Sequence, residues 1–172
     1  MTEPSGDGVG ATQVSEAHTS GPVVITGLEG LEAHVGQKVG ISDWKPVVQE
    51  EITAFAKLTG DEQWIHVDPE RAASGPFGTT IQHGFLTLGM STGLLWSVCV
   101  VEGFGMILNY GLNKVRFPSM LPTGSRYRAH VELAEAKPLG ASGVEVVWRL
   151  TYEIEGQSKP HCVADIVFRY YS

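Results

Sequence analysis

The seventeen residues FLTLGMSTGLLWSVCVV, 85–101, carry no charge and are broken only by Thr87, Ser91, Thr92, Ser97 and glycines. A run of that length reaches the lower limit for a membrane span. No Lys or Arg lies close to either end, and four later strand-like segments need something to wrap around, so the spacing predicts one buried central helix. Beyond Gly103 and Gly105 the period changes from helical to alternating. Tyr127, Ala129, Val131 and Leu133 share one face, with Arg126, Arg128, His130 and Glu132 on the other. Val144, Val146, Trp148, Leu150, Tyr152 and Ile154 repeat the pattern. These read as half-buried antiparallel strands. Residues 106–117 and 162–170 complete the set, with turns expected at 122–124, 138–140 and 155–157. The fold class is α+β: a single domain with a curved antiparallel sheet around a buried helix.

Upstream of the apolar run, residues 1–22 are rich in Gly, Ser, Thr and acids and offer almost no large apolar side chain. They are expected to form a disordered tail, leaving 23–172 as the domain. Short strands are expected at 23–25 and 44–48, with a helical pattern between them at Leu28, Leu31 and Val35. A clearer helix covers 49–58, with Ile52, Phe55 and Ala56 on one side and Glu50 and Glu51 at its positive end. Gly60 ends it, which places Asp61 in the loop just beyond. Asp68 followed by Pro69 predicts the N-cap and first residue of another short helix. Residues 74–80 form a loop by composition.

The 172 residues suffice for one domain with a real core. A net charge of -7 with only 12 Lys and Arg excludes a general nucleic-acid binder. Cys99 and Cys162 lack partners at metal-ligand spacing and read as buried free thiols, in keeping with a reducing cytoplasm. No secretory signal is visible.

Chemistry concentrates in Thr59-Gly60-Asp61-Glu62-Gln63-Trp64-Ile65-His66-Val67-Asp68 and Ile81-Gln82-His83-Gly84. An acid and an imidazole beside an apolar wall suit proton transfer, because a dry pocket tunes their pKa values. Taken singly, each has a plain structural explanation: a helix exit, a satisfied histidine, a packing glycine. Their joint occurrence, in order and ahead of the apolar run, favours catalysis. Asp61, His66, Asp68 and His83 are also metal-ligand types, but no Cys joins them and no recognised ligand spacing appears, so no metal is expected.

These motifs, together with Phe55-Ala56 and Ala72-Ala73, resemble the signature of MaoC-like dehydratases, the (R)-specific enoyl-CoA hydratase family with the hotdog fold; the resemblance spans roughly 36–171. Gln63-Trp64 stands where that family usually has Asn-Pro. The resemblance implies a hydro-lyase of fatty-acid metabolism that adds water from one face to trans-2-enoyl thioesters, giving (3R)-hydroxyacyl thioesters. It implies that Asp61 and His66 hold one water, with Asp61 taken as the base, although the residues alone do not divide the two roles. Gly84 would offer its N–H to the thioester oxygen, Thr92 and Gln63 would support the site, and His83 would shape the turn. No cofactor is expected, since coenzyme A belongs to the substrate. The carrier is coenzyme A or acyl carrier protein, with Lys114, Arg116, Arg126 and Arg128 as candidate phosphate contacts. A homodimer is implied, with no membrane association. The alternative is a non-catalytic hotdog subunit that binds an acyl chain or completes a partner's pocket; the presence of both Asp61 and His66 argues against it.

Overall fold

Alternating stretches become useful only when their apolar faces meet, and the computed structural model, which describes residues 21–172, shows how they do. The chain runs β1 (Val23–Thr26), α1 (Gly27–Ala33), β2 (Gln37–Ile41), β3 (Lys45–Pro46), α2 (Gln49–Thr59), α3 (Trp64–Val67), α4 (Pro69–Ala73), α5 (Gly84–Gly89) and α6 (Ser91–Val98). It continues with β4 (Cys99–Glu102), β5 (Met106–Arg116), β6 (Arg126–Leu139), β7 (Gly143–Ile154) and β8 (Cys162–Tyr171). The tail expected at 1–22 lies, for residues 1–20, outside the described residues.

One antiparallel sheet has the order β2-β6-β7-β8-β5, with β3 pairing β6 beside β2. The inward rows are those anticipated: Tyr127, Ala129, Val131 and Leu133 on β6 meet Val144, Val146, Trp148, Leu150, Tyr152 and Ile154 on β7, all fully buried. Ala164, Ile166, Phe168 and Tyr170 of β8 extend the same layer. Each large aliphatic side chain buried in this way contributes roughly 1.5–3 kcal/mol, so the inner face fixes the register of β6, β7 and β8. The hairpin β6–β7 turns at Gly140, where φ is +64°.

The central helix differs from the expectation in two ways. It is divided at Met90 into α5 and α6, although the backbone there stays near helical at φ -77° and ψ -9° and the Met90 N–H still donates to the Leu86 carbonyl. It also ends at Val98, not Val101. Cys99, Val100 and Val101 instead pair in parallel with β1, because β-branched residues fit a pleated surface and β1 supplies the missing partner. The helix is not apolar-packed all round, either. Leu86, Thr87, Ser91, Leu95 and Val98 face the sheet, whereas Phe85 and Trp96 are exposed. The strand expected at 44–48 shrinks to Lys45–Pro46, since proline cannot donate to a ladder.

Among the described residues, no helix is long and apolar enough to cross a membrane. Both cysteines are buried and free, with burial pushing their thiols up to about 11 at Cys99 and about 12 at Cys162.

Candidate active site

Helix α2 stops where its sequence says it should. Gly60 takes the left-handed conformation, φ +78°, and its N–H donates to the Ala56 carbonyl. The chain therefore turns sharply and delivers Asp61 to the rim of a hollow of about 190 Å³ lined by Phe55, Thr59, Asp61, His66, His83, Gly84 and Phe85. The Asp61 side chain remains 57% exposed. Asp68 caps α4 by accepting from the Arg71 N–H at 3.0 Å, with Pro69 at the first helical position. Occupied in this way, Asp68 stands apart from the cluster with which the sequence had grouped it.

His66 sits on α3, a four-residue helix with no periodic signal in the sequence. Three tertiary contacts hold it. The Ile81 N–H donates to the Ile65 carbonyl at 2.9 Å, and His66 Nδ1 lies 2.7 Å from the Ile81 carbonyl. A carbonyl can only accept, so Nδ1 carries the proton and Nε2 of the neutral ring keeps its lone pair. Gln49 Nε2 also donates to the His66 carbonyl at 2.8 Å, and Gln49 in turn accepts from Thr80, whose hydroxyl meets Thr123. These supporting residues lie 17, 31 and 43 positions from their partners, so no local signal could have revealed them.

His83 is more than a turn residue. Its ring stacks on His66 with centroids 3.7 Å apart, and its Nε2 donates to the Asp61 carbonyl at 2.9 Å. It thereby ties the loop bearing Asp61 to the ring of His66. Phe55 closes the other side, 5.0 Å from His83 between centroids. Gly84, the first residue of α5, has an N–H without an acceptor in its own helix. A methyl group there would meet the Phe117 ring at 2.8 Å. The remaining candidates lie elsewhere: Gln63 precedes α3, Thr92 sits half-buried on α6, and neither lines the hollow.

Burial holds the His66 imidazole below its ordinary value, and neighbouring His83 acts the same way, against the raising effects of the Ile81 bond and the Asp61 carboxylate. Burial likewise lowers His161, against its bond to Ser119. A histidine lowered in the folded state leaves the unfolded chain as the better proton binder. These two groups therefore cost no stability above about pH 6.5, the ordinary imidazole value, and stability falls as the pH drops from there through their folded values. Thermal unfolding across this window should show the melting temperature declining on acidification, and His161→Gln should flatten the decline.

One ligand atom each from Asp61, His66 and His83 lies within 4.8 Å of the others, so among the described residues these three are the ones that could hold a metal ion. The stacking of the two imidazoles and the donation from His83 Nε2 to a carbonyl oppose that use. What the arrangement offers without an ion is a carboxylate and a neutral imidazole at one small hollow, next to a backbone N–H. A larger hollow of about 530 Å³ lies on the outer sheet face, bordered by His130, Glu132, Arg149 and Glu153. Most of its charges are paired: Glu153 accepts from Arg128 and His130, and Arg149 pairs with Asp165 and Glu132.

Residues 31–152 match the family model described as the MaoC like domain. The chain belongs to the MaoC-like dehydratase family. Over 140 residues it is 53% identical to the 3-hydroxyacyl-thioester dehydratase Z of Mycobacterium tuberculosis, covering 81% of this MaoC-like chain and 93% of that protein. It is 43% identical over 140 residues to nodulation protein N of Rhizobium leguminosarum bv. viciae, covering 80% and 87%. Among solved structures, the (R)-hydratase from A. caviae involved in PHA biosynthesis superimposes with a TM-score of 0.60 at 24% identity, over 78% of this chain and 94% of that one. That likeness shows the fold, which is the hotdog fold.

Proposed function

We propose that this MaoC-like chain is an (R)-specific enoyl thioester hydratase and 3-hydroxyacyl thioester dehydratase acting on fatty acyl substrates. The observation that carries the reading is the hollow where the Asp61 carboxylate and the unprotonated Nε2 of His66 stand together beside the Gly84 N–H. Kinship with a 3-hydroxyacyl-thioester dehydratase over most of both chains supports it.

The chemistry follows from what each group can accept or donate. A water in the hollow donates one O–H to Asp61 and the other to His66 Nε2, leaving its lone pairs free to attack the β-carbon of a trans-2-enoyl thioester. As the C–O bond forms, the carbon–carbon π pair moves toward the α-carbon and the thioester oxygen, where the Gly84 N–H stabilises the growing charge. The dyad takes one proton from the water, with Asp61 as the base and His66 orienting the water, and returns a proton to the α-carbon. Hydroxyl and hydrogen thus arrive from one face, giving the (3R)-hydroxyacyl product, and dehydration runs the same steps backward. No cofactor enters this balance.

Purified protein should hydrate crotonyl-CoA, followed by loss of the enoyl absorbance, with the same rate after chelator treatment and dialysis. Inactivity on every enoyl thioester tried, together with acyl-chain binding, would point to the non-catalytic subunit. A rate that falls with chelator and recovers with a divalent metal would assign the water to an ion on Asp61, His66 and His83.

The partner is a second copy. Strand β5 is a sheet edge of 11 residues that exposes Met106, Leu108, Tyr110 and Leu112, and Phe85 and Trp96 of the helix are exposed too. An apolar edge of that length invites pairing or aggregation unless it is covered, and a two-fold dimer covers it on both copies at once. Sedimentation should give twice the chain mass at micromolar concentration, and Leu108→Lys with Tyr110→Lys should shift the species to monomer. A wild-type monomer would overturn the assignment. For the carrier, Lys114 and Arg116 on β5 are exposed candidates for phosphate contact, whereas Arg126 is already engaged by Glu155 and Arg128 by Glu153. The buried thiols are in keeping with a cytoplasmic setting.

A further inference from the structure

Behind the hollow, on the core side of His83 and Gly84, three buried polar side chains form a chain whose direction is fixed by chemistry. Gln82, Thr87 and His161 are each at most 3% exposed. His161 Nδ1 lies 2.7 Å from the Ser119 carbonyl, so that nitrogen donates and Nε2 of the neutral ring accepts. The Thr87 hydroxyl, 2.9 Å from Nε2, must then be the donor. Its oxygen accepts from Gln82 Nε2 at 2.8 Å. Each step of the sequence Gln82 to Thr87 to His161 to Ser119 is therefore determined by the one after it.

The placement of this chain in the fold gives it a use. Gln82 and Thr87 lie on either side of His83-Gly84, so their bond is a side-chain bridge across the turn that presents both residues to the hollow. His83, as N-cap of α5, makes no capping bond of its own. The bridge is anchored at both ends: the Gln82 N–H donates to the Leu121 carbonyl at 2.8 Å, and the His161 N–H donates to the Tyr152 carbonyl at 2.8 Å. Phe117 packs against the His161 ring at 5.9 Å and stands directly against Gly84. Burying three polar groups is costly, the more so because Gln82 Oε1 has no hydrogen-bond partner among the described residues, and an apolar set could fill the same space. The directional chain adds a single permitted arrangement of the turn.

We propose that Gln82, Thr87 and His161 are positioning residues that hold the His83-Gly84 turn against His66 and so set the geometry of the hollow. None of the three touches the hollow. The kinetic part of this inference rests on the hydratase reading above; the spectroscopic part does not.

The test compares Thr87→Val, which keeps volume and loses the hydroxyl, with Thr87→Ser, which keeps the hydroxyl, both in the full chain. A displacement of about 1 Å at a catalytic turn can cost on the order of 10²-fold in rate, so Thr87→Val should lower kcat by at least ~10-fold with KM little changed, and Thr87→Ser should stay near wild type. Nitrogen-15 spectra of the imidazoles should show the His66 and His83 ring signals shifted in Thr87→Val and unmoved in Thr87→Ser. Should Thr87→Val not fold, His161→Asn replaces it, retaining a donor toward Ser119 while removing the acceptor for Thr87. Ring signals that stay in place overturn the inference, as does an unchanged kcat despite shifted signals or a rise in KM with kcat intact. A wild-type protein without hydratase activity would sink the functional reading alone, since the ring signals still decide the positioning role.

Discussion

Asp61→Asn should lower turnover of a short or medium trans-2-enoyl-CoA by ~10²- to 10⁴-fold, the usual worth of a positioned proton-transfer group, while leaving the fold in place. The side chain that changes is more than half exposed and serves the fold through its backbone carbonyl, which accepts from His83 and is untouched by the substitution. Asparagine keeps the shape and removes only the basic carboxylate. His66→Ala should lose as much activity, but it also deletes the stack on His83 and the bond to Ile81, so some loss of stability accompanies it. Because both groups act on one water, the double mutant should be scarcely slower than the worse single mutant. Steady-state rates on crotonyl-CoA, with circular dichroism as a check on folding, decide the matter. Near-normal turnover in either single mutant would mean that another residue carries the reaction.

Gly84→Ala should be the second most damaging change. An alanine Cβ at this position would stand 2.8–3.0 Å from three atoms of the Phe117 ring, closer than real contacts allow, so either the ring or the helix start must move. Overpacking of this kind typically costs 1–3 kcal/mol. Movement of the helix start would carry the Gly84 N–H away from the developing oxyanion, and loss of one such donor is worth roughly 10²- to 10³-fold in kcat. Phe117 is only half-buried, which gives the test a second arm. Phe117→Leu in the Gly84→Ala background should restore much of the activity by making room, whereas the same change in the wild type should do little. Gly84→Ala with unchanged kcat would remove this N–H from the mechanism, and failure of Phe117→Leu to rescue would place the damage elsewhere than in the clash.

Burial gives a gentler and independent readout. The acid-side loss of stability expected from His66 and His161 sets in at the ordinary imidazole value, about pH 6.5, so its onset can be followed before general acid unfolding begins.

The sequence by itself determined the parts of this protein that depend on local periodicity and local stereochemistry. The alternation at 127–133 and 144–154 fixed which faces of β6 and β7 are inward, because a strand repeats every two residues and a slip of one would turn the whole row to solvent. Gly60 and Asp68-Pro69 fixed a helix end and a helix start, because a left-handed residue and a missing N–H have few places to go. Composition and order also brought Asp61, His66 and Gly84 into one proposal, and the fold does gather them at one hollow.

Tertiary structure decided everything that depends on distant partners. Val100 and Val101 leave the helix because β1, 76 residues earlier, supplies a parallel strand for them. His66 is oriented by Ile81 and Gln49, and His83 is recruited onto its face by a turn that Thr87 and His161 brace from behind. Thr92 on α6 and Gln63 just before the short helix α3 fall outside the hollow, and neither placement is written in a repeat. A period of two or 3.6 residues reports how one segment meets the core; the protonation state of a buried imidazole depends on a carbonyl brought to it from another part of the chain.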